Sequence, residues 1–160
     1  MEAQYGIARI REILPHRHPF LLIDKVLDTN GEDHILALKN VTADEPFFQG
    51  HFPGNPVFPG VLQLETMAQA AGLMVLWQAP KDAEPPMLMS VMNAKFRRPV
   101  VPGDTMLVDV RLKRLHRSRA SGIARFEGCI RVGEDVVSEA TFLCMIPAAP
   151  KNSITPSNPD

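Results

Sequence analysis

Residues 51–65, HFPGNPVFPGVLQLE, place a potential base and a potential acid in one short segment. Pro53, Pro56 and Pro59 restrict the backbone and disfavour both helix and strand. A stiff loop that presents His51 is suited to catalysis, because a misplaced catalytic group costs rate. The alternative is a structural proline-rich turn that contains an incidental histidine.

The acid of this pair, Glu65, belongs to an apolar segment that predicts a buried helix over residues 61–78. Apolar side chains occupy nearly every direction around the helical period. A buried carboxyl group retains its proton more readily than an exposed one, so Glu65 is a candidate general acid. Gln69 follows one turn later and can hydrogen-bond to Glu65. Alternatively, Glu65 reaches solvent at the edge of the helix.

The predicted helix begins at a Pro-Gly pair, and its first N–H groups, near Gly60, Val61 and Leu62, lack intrahelical acceptors. Such donors attract negative charge and would stabilise a thioester carbonyl that gains enolate character. A base, an acid and these donors suit removal of an α-proton with loss of a β-hydroxyl group, which is a dehydration. The residues expected to bind substrate are Phe52, Pro59, Gly60, Val61 and Gln69.

Three segments resemble the signatures of β-hydroxyacyl-acyl-carrier-protein dehydratases of the FabZ type: LPHRHPFLLID (14–24), HFPGNPVFPGVLQLETMAQ (51–69) and KFRRPVVPGD (95–104). The resemblance implies an α+β hot-dog fold, in which an antiparallel sheet wraps around one long central helix. It also implies a dimer, usually assembled as a trimer of dimers. The products would be trans-2-enoyl thioesters for fatty acid biosynthesis, for membrane lipids generally or for lipid A.

The same resemblance assigns roles to individual residues. It implies that His51 is the base, that Glu65 comes from the partner subunit as the acid, and that the Gly60 N–H polarises the thioester carbonyl. The isomerising FabA type typically has Asp at the position of Glu65, so the non-isomerising type is favoured. This chain departs from the family at His18, where Tyr is common, and at Thr66, where a smaller residue is common.

Acyl carrier protein is the expected partner, because the stretch 95–119 holds eight Lys and Arg residues against only Asp104 and Asp109. This local excess of positive charge would attract an acidic protein. The predicted docking residues are Lys95, Arg97 and Arg98. The alternative is a solvated strand face, where Lys and Arg protect a sheet edge.

No cofactor is expected, because a thioester already acidifies its α-carbon. His16 and His18 could ligate a metal, but no further ligands accompany them at a recognisable spacing, which favours histidines at a turn or pocket rim. Cys129 and Cys144 are interpreted as buried free thiols of a reducing cytosol. The methionines Met87, Met89 and Met92 could line an acyl tunnel or fill the core.

Composition indicates one domain over residues 1–146, followed by a disordered Pro/Ser/Asn-rich tail over 147–160. The chain has 160 residues, 45% of them hydrophobic, and a net charge of −1, which favours neither nucleic acid nor membrane insertion. We expect a cytoplasmic protein. The predicted elements, besides the central helix, are a helix at 7–13 and strands at 19–27, 34–41, 87–96, from 104 onward, 121–132 and 136–146.

Two other functions compete with dehydration. An acyl-thioester hydrolase on the same fold would use Glu65 to activate water and would release a free thiol. A non-enzymatic acyl-binding module would reduce His51 and Glu65 to packing residues.

Overall fold

Apolar periodicity and turn residues divide the chain into helices and strands. The computed structural model describes residues 4–77, 79, 83–117 and 121–147. Its elements are α1 (Ile7–Ile13), β1 (Lys25–Thr29), β2 (His34–Asn40), the 3₁₀ helix η1 (Pro46–Gln49), α2 (Gly60–Leu76), β3 (Met87–Phe96), β4 (Thr105–Arg117), β5 (Ser121–Val132) and β6 (Asp135–Pro147).

The six strands form one antiparallel sheet in the order β1-β2-β4-β5-β6-β3, and α2 packs against β2, β4, β5 and β6. Strand β4 shows how the sequence directs this packing. Met106, Val108 and Val110 are fully buried, whereas Arg111 is exposed, as period-2 alternation predicts. The core therefore lies between the sheet and α2.

Close contact between α2 and the sheet depends on a glycine in β5. A Cβ atom on Gly128 would lie 2.6 Å from Sδ and 3.2 Å from Cβ of Met67, a fully buried residue of α2. Glycine at this position therefore lets the helix that carries Glu65 lie close to the sheet.

The α+β class and the hot-dog arrangement are confirmed, and the predicted boundaries of α1, β3 and β5 are correct. The predicted start of the strand over 19–27 is wrong, because the strand there is Lys25–Thr29. The preceding residues form a turn in which Phe20 N donates to Arg17 O at 2.7 Å, and Leu22 N donates to a side chain of α2. The N–H groups of Phe20 and Leu22 are therefore not available to a neighbouring strand.

The remaining predictions concern the ends of elements and the tail. Helix α2 ends at Leu76, and the predicted last residue, Gln78, lies outside the described residues. Strand β6 includes Pro147, and the rest of the predicted tail, residues 148–160, also lies outside them. Among the described residues, no helix combines the length and apolar character needed to cross a membrane.

Candidate active site

The loop after η1 fixes both the backbone and the ring of His51. His51 N donates to Phe47 O at 2.9 Å, and Val57 N donates to His51 O at 3.0 Å. The ring atom Nδ1 lies 2.7 Å from Val57 O. Because a carbonyl oxygen only accepts, Nδ1 must carry the proton, which leaves the lone pair on Nε2. His51 is therefore held in the tautomer in which Nε2 can act as a base.

Phe52 supports this ring from one side. The two rings stack with centroids 4.0 Å apart and an interplanar angle of 27°. Phe52 remains half exposed, so it can also contact a bound molecule beside His51.

The start of α2 supplies two free donors rather than the three that the sequence predicted. Leu62 N and Gln63 N both donate to Pro59 O, at 3.0 and 3.1 Å. The prediction for Leu62 is therefore wrong, because a tight first turn satisfies its N–H. Among the described residues, the N–H groups of Gly60 and Val61 have no acceptor.

His51 and Gly60 line the same cavity, which has a volume of about 340 Å³ and also includes Gln63 and Phe96. A Cβ atom on Gly60 would lie 3.0 Å from two carbons of the Phe96 ring. Glycine therefore keeps this donor accessible beneath an aromatic ring. Pro59 is buried outside the lining of this cavity, and the Val61 side chain is 72% exposed.

Glu65 is held by hydrogen bonds at the middle of α2. Its Oε1 accepts from Gln69 Nε2 at 2.9 Å, which confirms the predicted contact. Gln69 is itself buried, and it also donates to Phe20 O at 2.7 Å and accepts from Leu22 N at 2.9 Å. The Glu65 side chain is 21% exposed, so it is partly rather than fully buried.

His16 is the neighbour of Glu65 that the sequence did not reveal. Its Nε2 lies 3.6 Å from Glu65 Oε1. The sequence favoured a turn in which His16 lies on the surface or at a pocket rim, and nothing in the spacing indicated which carboxylate it would face. No group of three or more His, Cys, Asp or Glu side chains with the geometry of a metal site occurs in the described part of the chain.

Glu65 and His51 line different cavities of the same chain. The Glu65 cavity has a volume of about 240 Å³ and includes His16, Phe20 and Cys144. None of the residues that line it also lines the His51 cavity. A single chain therefore does not bring the two candidate groups into one cavity.

The two cysteines differ in burial. Cys144 is buried in the core, and this burial raises its pKa to about 12. It therefore stays a protonated thiol beside Glu65. Cys129 is only partly buried, so the prediction that both thiols are buried is wrong for this residue, which lies on the outer face of β5.

The predicted docking residues all pair with carboxylates from another strand or turn. Arg97 lies 2.9 Å and Lys95 3.8 Å from Glu139, and Arg98 lies 3.4 Å from Asp135. The hydrogen bond and charge of Arg97 lower the pKa of the Glu139 carboxyl group. The local excess of positive charge in the sequence is therefore partly neutralised by folding. The side chain of Arg117, and the whole of Arg119, lie outside the described residues.

Comparison with known proteins places this chain in a family. The model of the FabA-like domain matches residues 14–141. The solved dehydratase heterocomplex ApeI:P from Xenorhabdus doucetiae has a similar fold, with a TM-score of 0.71 and 22% identity, over 86% of this chain and 90% of that one. A putative thioesterase from Ralstonia eutropha is more distant in structure, with a TM-score of 0.54 and 17% identity, over 76% of this chain and 83% of that one.

Curated relatives are much closer in sequence. The 3-hydroxyacyl-acyl-carrier-protein dehydratase FabZ of Paracidovorax citrulli is 47% identical over 86% of this chain and 94% of the relative. The FabZ of Vibrio campbellii is 50% identical over 87% of this chain and 91% of the relative. The chain therefore belongs to the FabA-like family and, within it, to the FabZ group of 3-hydroxyacyl-acyl-carrier-protein dehydratases.

Proposed function

We propose that this protein removes water from a 3-hydroxyacyl thioester on acyl carrier protein and produces the trans-2-enoyl thioester, as a step of fatty acid biosynthesis. The observation that supports this most directly is the placement of His51, whose bond from Nδ1 to Val57 O leaves Nε2 free and which lines the same cavity as Gly60. A base beside an oxyanion donor is the arrangement that proton removal next to a carbonyl requires. Identity of 47–50% to FabZ relatives supports the same reaction.

In this mechanism, His51 Nε2 takes the α-proton of the substrate. The Gly60 N–H donates a hydrogen bond to the thioester oxygen, which stabilises the negative charge that develops there. Glu65 then protonates the departing β-hydroxyl group, which leaves as water. Phe52 and Phe96 supply apolar surface beside the reacting carbons, and Gln69 holds the Glu65 carboxyl group.

The acid must come from a second copy of the chain in this proposal, since Glu65 and His51 line separate cavities within one copy. Strand β3 lies at the edge of the sheet, and its outer side is unpaired within the described residues. It is also unusually apolar, with five large exposed side chains: Met87, Leu88, Met89, Val91 and Phe96. An exposed apolar edge favours pairing with another strand. We propose that β3 pairs with β3 of a second copy.

Mixing two inactive variants tests the shared site. His51→Ala and Glu65→Ala should each lower kcat by about 100-fold or more with the fold intact. In a mixed dimer, one of the two sites would combine the intact His51 of one chain with the intact Glu65 of the other. Co-expression at equal amounts should therefore restore about a quarter of native activity, because about half of the dimers are mixed. Absence of restored activity in verified mixed dimers would rule out a shared site.

Sedimentation of the native protein tests the implied trimer of dimers.

Product analysis separates dehydration from thioester hydrolysis. A dehydratase yields an enoyl thioester and no thiol, whereas a hydrolase on this fold releases one. Mass spectrometry of 3-hydroxyacyl carrier protein after incubation should show a loss of water, about 18 Da, with the pantetheine arm still acylated. Accumulation of free carrier thiol would refute the proposed reaction.

Carrier docking at Lys95, Arg97 and Arg98 is a second part of the proposal. Arg97 and Arg98 line the His51 cavity, so a carrier bound there could deliver its arm directly. Arg97→Glu combined with Arg98→Glu should raise KM for carrier-bound substrate and spare small thioester analogues. The control is Arg111→Glu with Lys113→Glu, an equal change of charge on β4. If both substrates, or both double variants, respond alike, docking at this surface is excluded.

A further inference from the structure

A buried cation lies where the strand pattern predicts an apolar residue. Alternate residues of β2, at positions 35, 37 and 39, face the core, and the first two, Ile35 and Ala37, are fully buried. The third is Lys39, whose side chain is only 6% exposed. Its Nζ contacts the carboxylate of Glu45, which is 12% exposed, and donates to Asn40 O at 2.9 Å.

Stability alone does not explain this ion pair. Removing two charges from water costs several kcal/mol per ion, on the order of what their attraction returns. Apolar residues of similar volume are often equally stable or more stable at such a position. The contribution of Lys39 and Glu45 is therefore better sought in the geometry that they impose.

That geometry leads directly to His51. Glu45 immediately precedes η1, and its carbonyl accepts from Phe48 N at 3.1 Å. The same turn supplies Phe47 O, the acceptor for His51 N at 2.9 Å. The ion pair thus attaches the first residue of the turn to β2, and the last hydrogen bond of the turn holds the His51 backbone. Because Lys39 belongs to a strand paired on both sides, this attachment is rigid.

The other end of the His51 loop is held by separate contacts. Phe58 N donates to Val100 O at 2.7 Å, and the Phe58 ring packs edge-on against Phe47 with centroids 5.1 Å apart. The ring of His51 is bonded to Val57 O, one residue before this contact. The loop is therefore anchored on both sides of His51, and the Lys39–Glu45 pair is the polar anchor on the η1 side.

We propose that Lys39 and Glu45 are positioning residues for His51, which hold the η1 turn so that Nδ1 stays bonded to Val57 O and Nε2 stays free to act as the base. This inference rests on the proposed function of His51 as the base. It predicts that loss of the pair lowers turnover without loss of the fold and with little change in substrate binding.

The test compares Lys39→Met/Glu45→Met with the native enzyme. Its kcat should fall about 10- to 100-fold, as expected for displacement of a catalytic group by about 1 Å, while KM changes less than twofold. Its Tm should stay within a few degrees of native. Nitrogen-detected NMR of the imidazole should show a single tautomer of His51 in the native enzyme and a mixture in the variant. The control is Lys113→Met/Glu127→Met, which removes an exposed ion pair of β4 and β5 with an N–O distance of 3.1 Å and should leave kcat unchanged.

Two further variants keep the result decisive. Lys39→Arg retains a positive charge that can pair with Glu45, so its kcat should be higher than that of Lys39→Met/Glu45→Met. If the double variant does not fold, Glu45→Gln keeps the side-chain shape and should lower kcat with the same change in the His51 tautomer. Native kcat and a single tautomer in a folded variant without the pair would overturn the inference. His51→Ala, measured in parallel, distinguishes this outcome from failure of the proposed function, in which His51→Ala itself would retain turnover.

Discussion

Replacement of Gln69 by methionine tests how α2 holds its carboxylate. Methionine has a similar length and no hydrogen-bonding groups of comparable strength. The change removes three hydrogen bonds of the carboxamide: to Glu65 Oε1, to Phe20 O and from Leu22 N.

The stability cost follows from which of these partners can reach water. Leu22 is 1% exposed, so its N–H would be left without an acceptor, at a cost of about 1–3 kcal/mol. Phe20 is 49% exposed and the Glu65 side chain 21%, so their oxygens can bind water instead, and each loss costs about 0.5–1.5 kcal/mol. We expect a total of about 2–6 kcal/mol. This corresponds to a lower Tm by roughly 4–24 °C for a chain of this length.

Activity should fall further than stability explains. The Glu65 carboxyl group would lose the donor that orients it, so kcat should decrease about 10-fold or more at a temperature where the variant is fully folded. Steady-state kinetics at fixed protein concentration, with circular dichroism to confirm folding, measures both effects.

Thr66→Val provides the matched control in the same helix. Thr66 is fully buried, and its Oγ1 donates to Leu62 O at 2.6 Å; among the described residues it makes no hydrogen bond to the Glu65 carboxylate. This variant should lose about 1 kcal/mol or less and retain native kcat. If Gln69→Met is as stable and as active as Thr66→Val, then the carboxamide network does not position Glu65 and the reasoning is refuted.

Two further predictions concern the core next to this helix. Gly128→Ala should destabilise the protein by about 1–3 kcal/mol, because the new Cβ would lie 2.6 Å from Met67 Sδ. Urea titration measures this loss of stability. Adding Met67→Ala to Gly128→Ala should relieve the overlap. If Gly128→Ala alone is as stable as the native protein, the prediction is contradicted. Stability should also fall as pH rises from about 9, since the Cys144 thiol has its pKa raised to about 12 by burial and the unfolded chain releases that proton first. The free energy of unfolding should fall by at most about 1.4 kcal/mol per pH unit, and this decrease should be absent in Cys144→Ala. Equal decreases in both proteins would exclude Cys144 as the cause.

The candidate residues of the site were largely predictable, because each has a strong local signal. Prolines around His51 indicate a stiff loop, a Pro-Gly pair marks the start of α2, and the spacing of Glu65 and Gln69 places them on one face. The structure confirms the predicted hydrogen bond between Glu65 and Gln69, and it adds a bond from the His51 ring to its own loop. The catalytic roles stay predictions for the variants described above.

The partners of these residues were not predictable, because they come from distant parts of the chain. In the sequence, few acidic residues lie near Lys95, Arg97 and Arg98. In the structure, Glu139 and Asp135 lie beside them and form ion pairs. Leu22 resembled a strand residue in sequence, but its N–H bonds to Gln69. In the same way, nothing in the spacing of Lys39 and Glu45 distinguished a buried pair from two surface charges.

The sequence by itself determined the α+β class, the elements around His51 and Glu65, and the kind of chemistry that these groups can perform. Hydrophobic period and turn residues act within a few positions along the chain, so they can be recognised without a structure. Only the tertiary structure decided the tautomer of His51, the contact between His16 and Glu65, and the separation of His51 and Glu65 into two cavities. These depend on which distant atoms come within about 3–4 Å of each other, a distance that the order of residues along the chain does not specify.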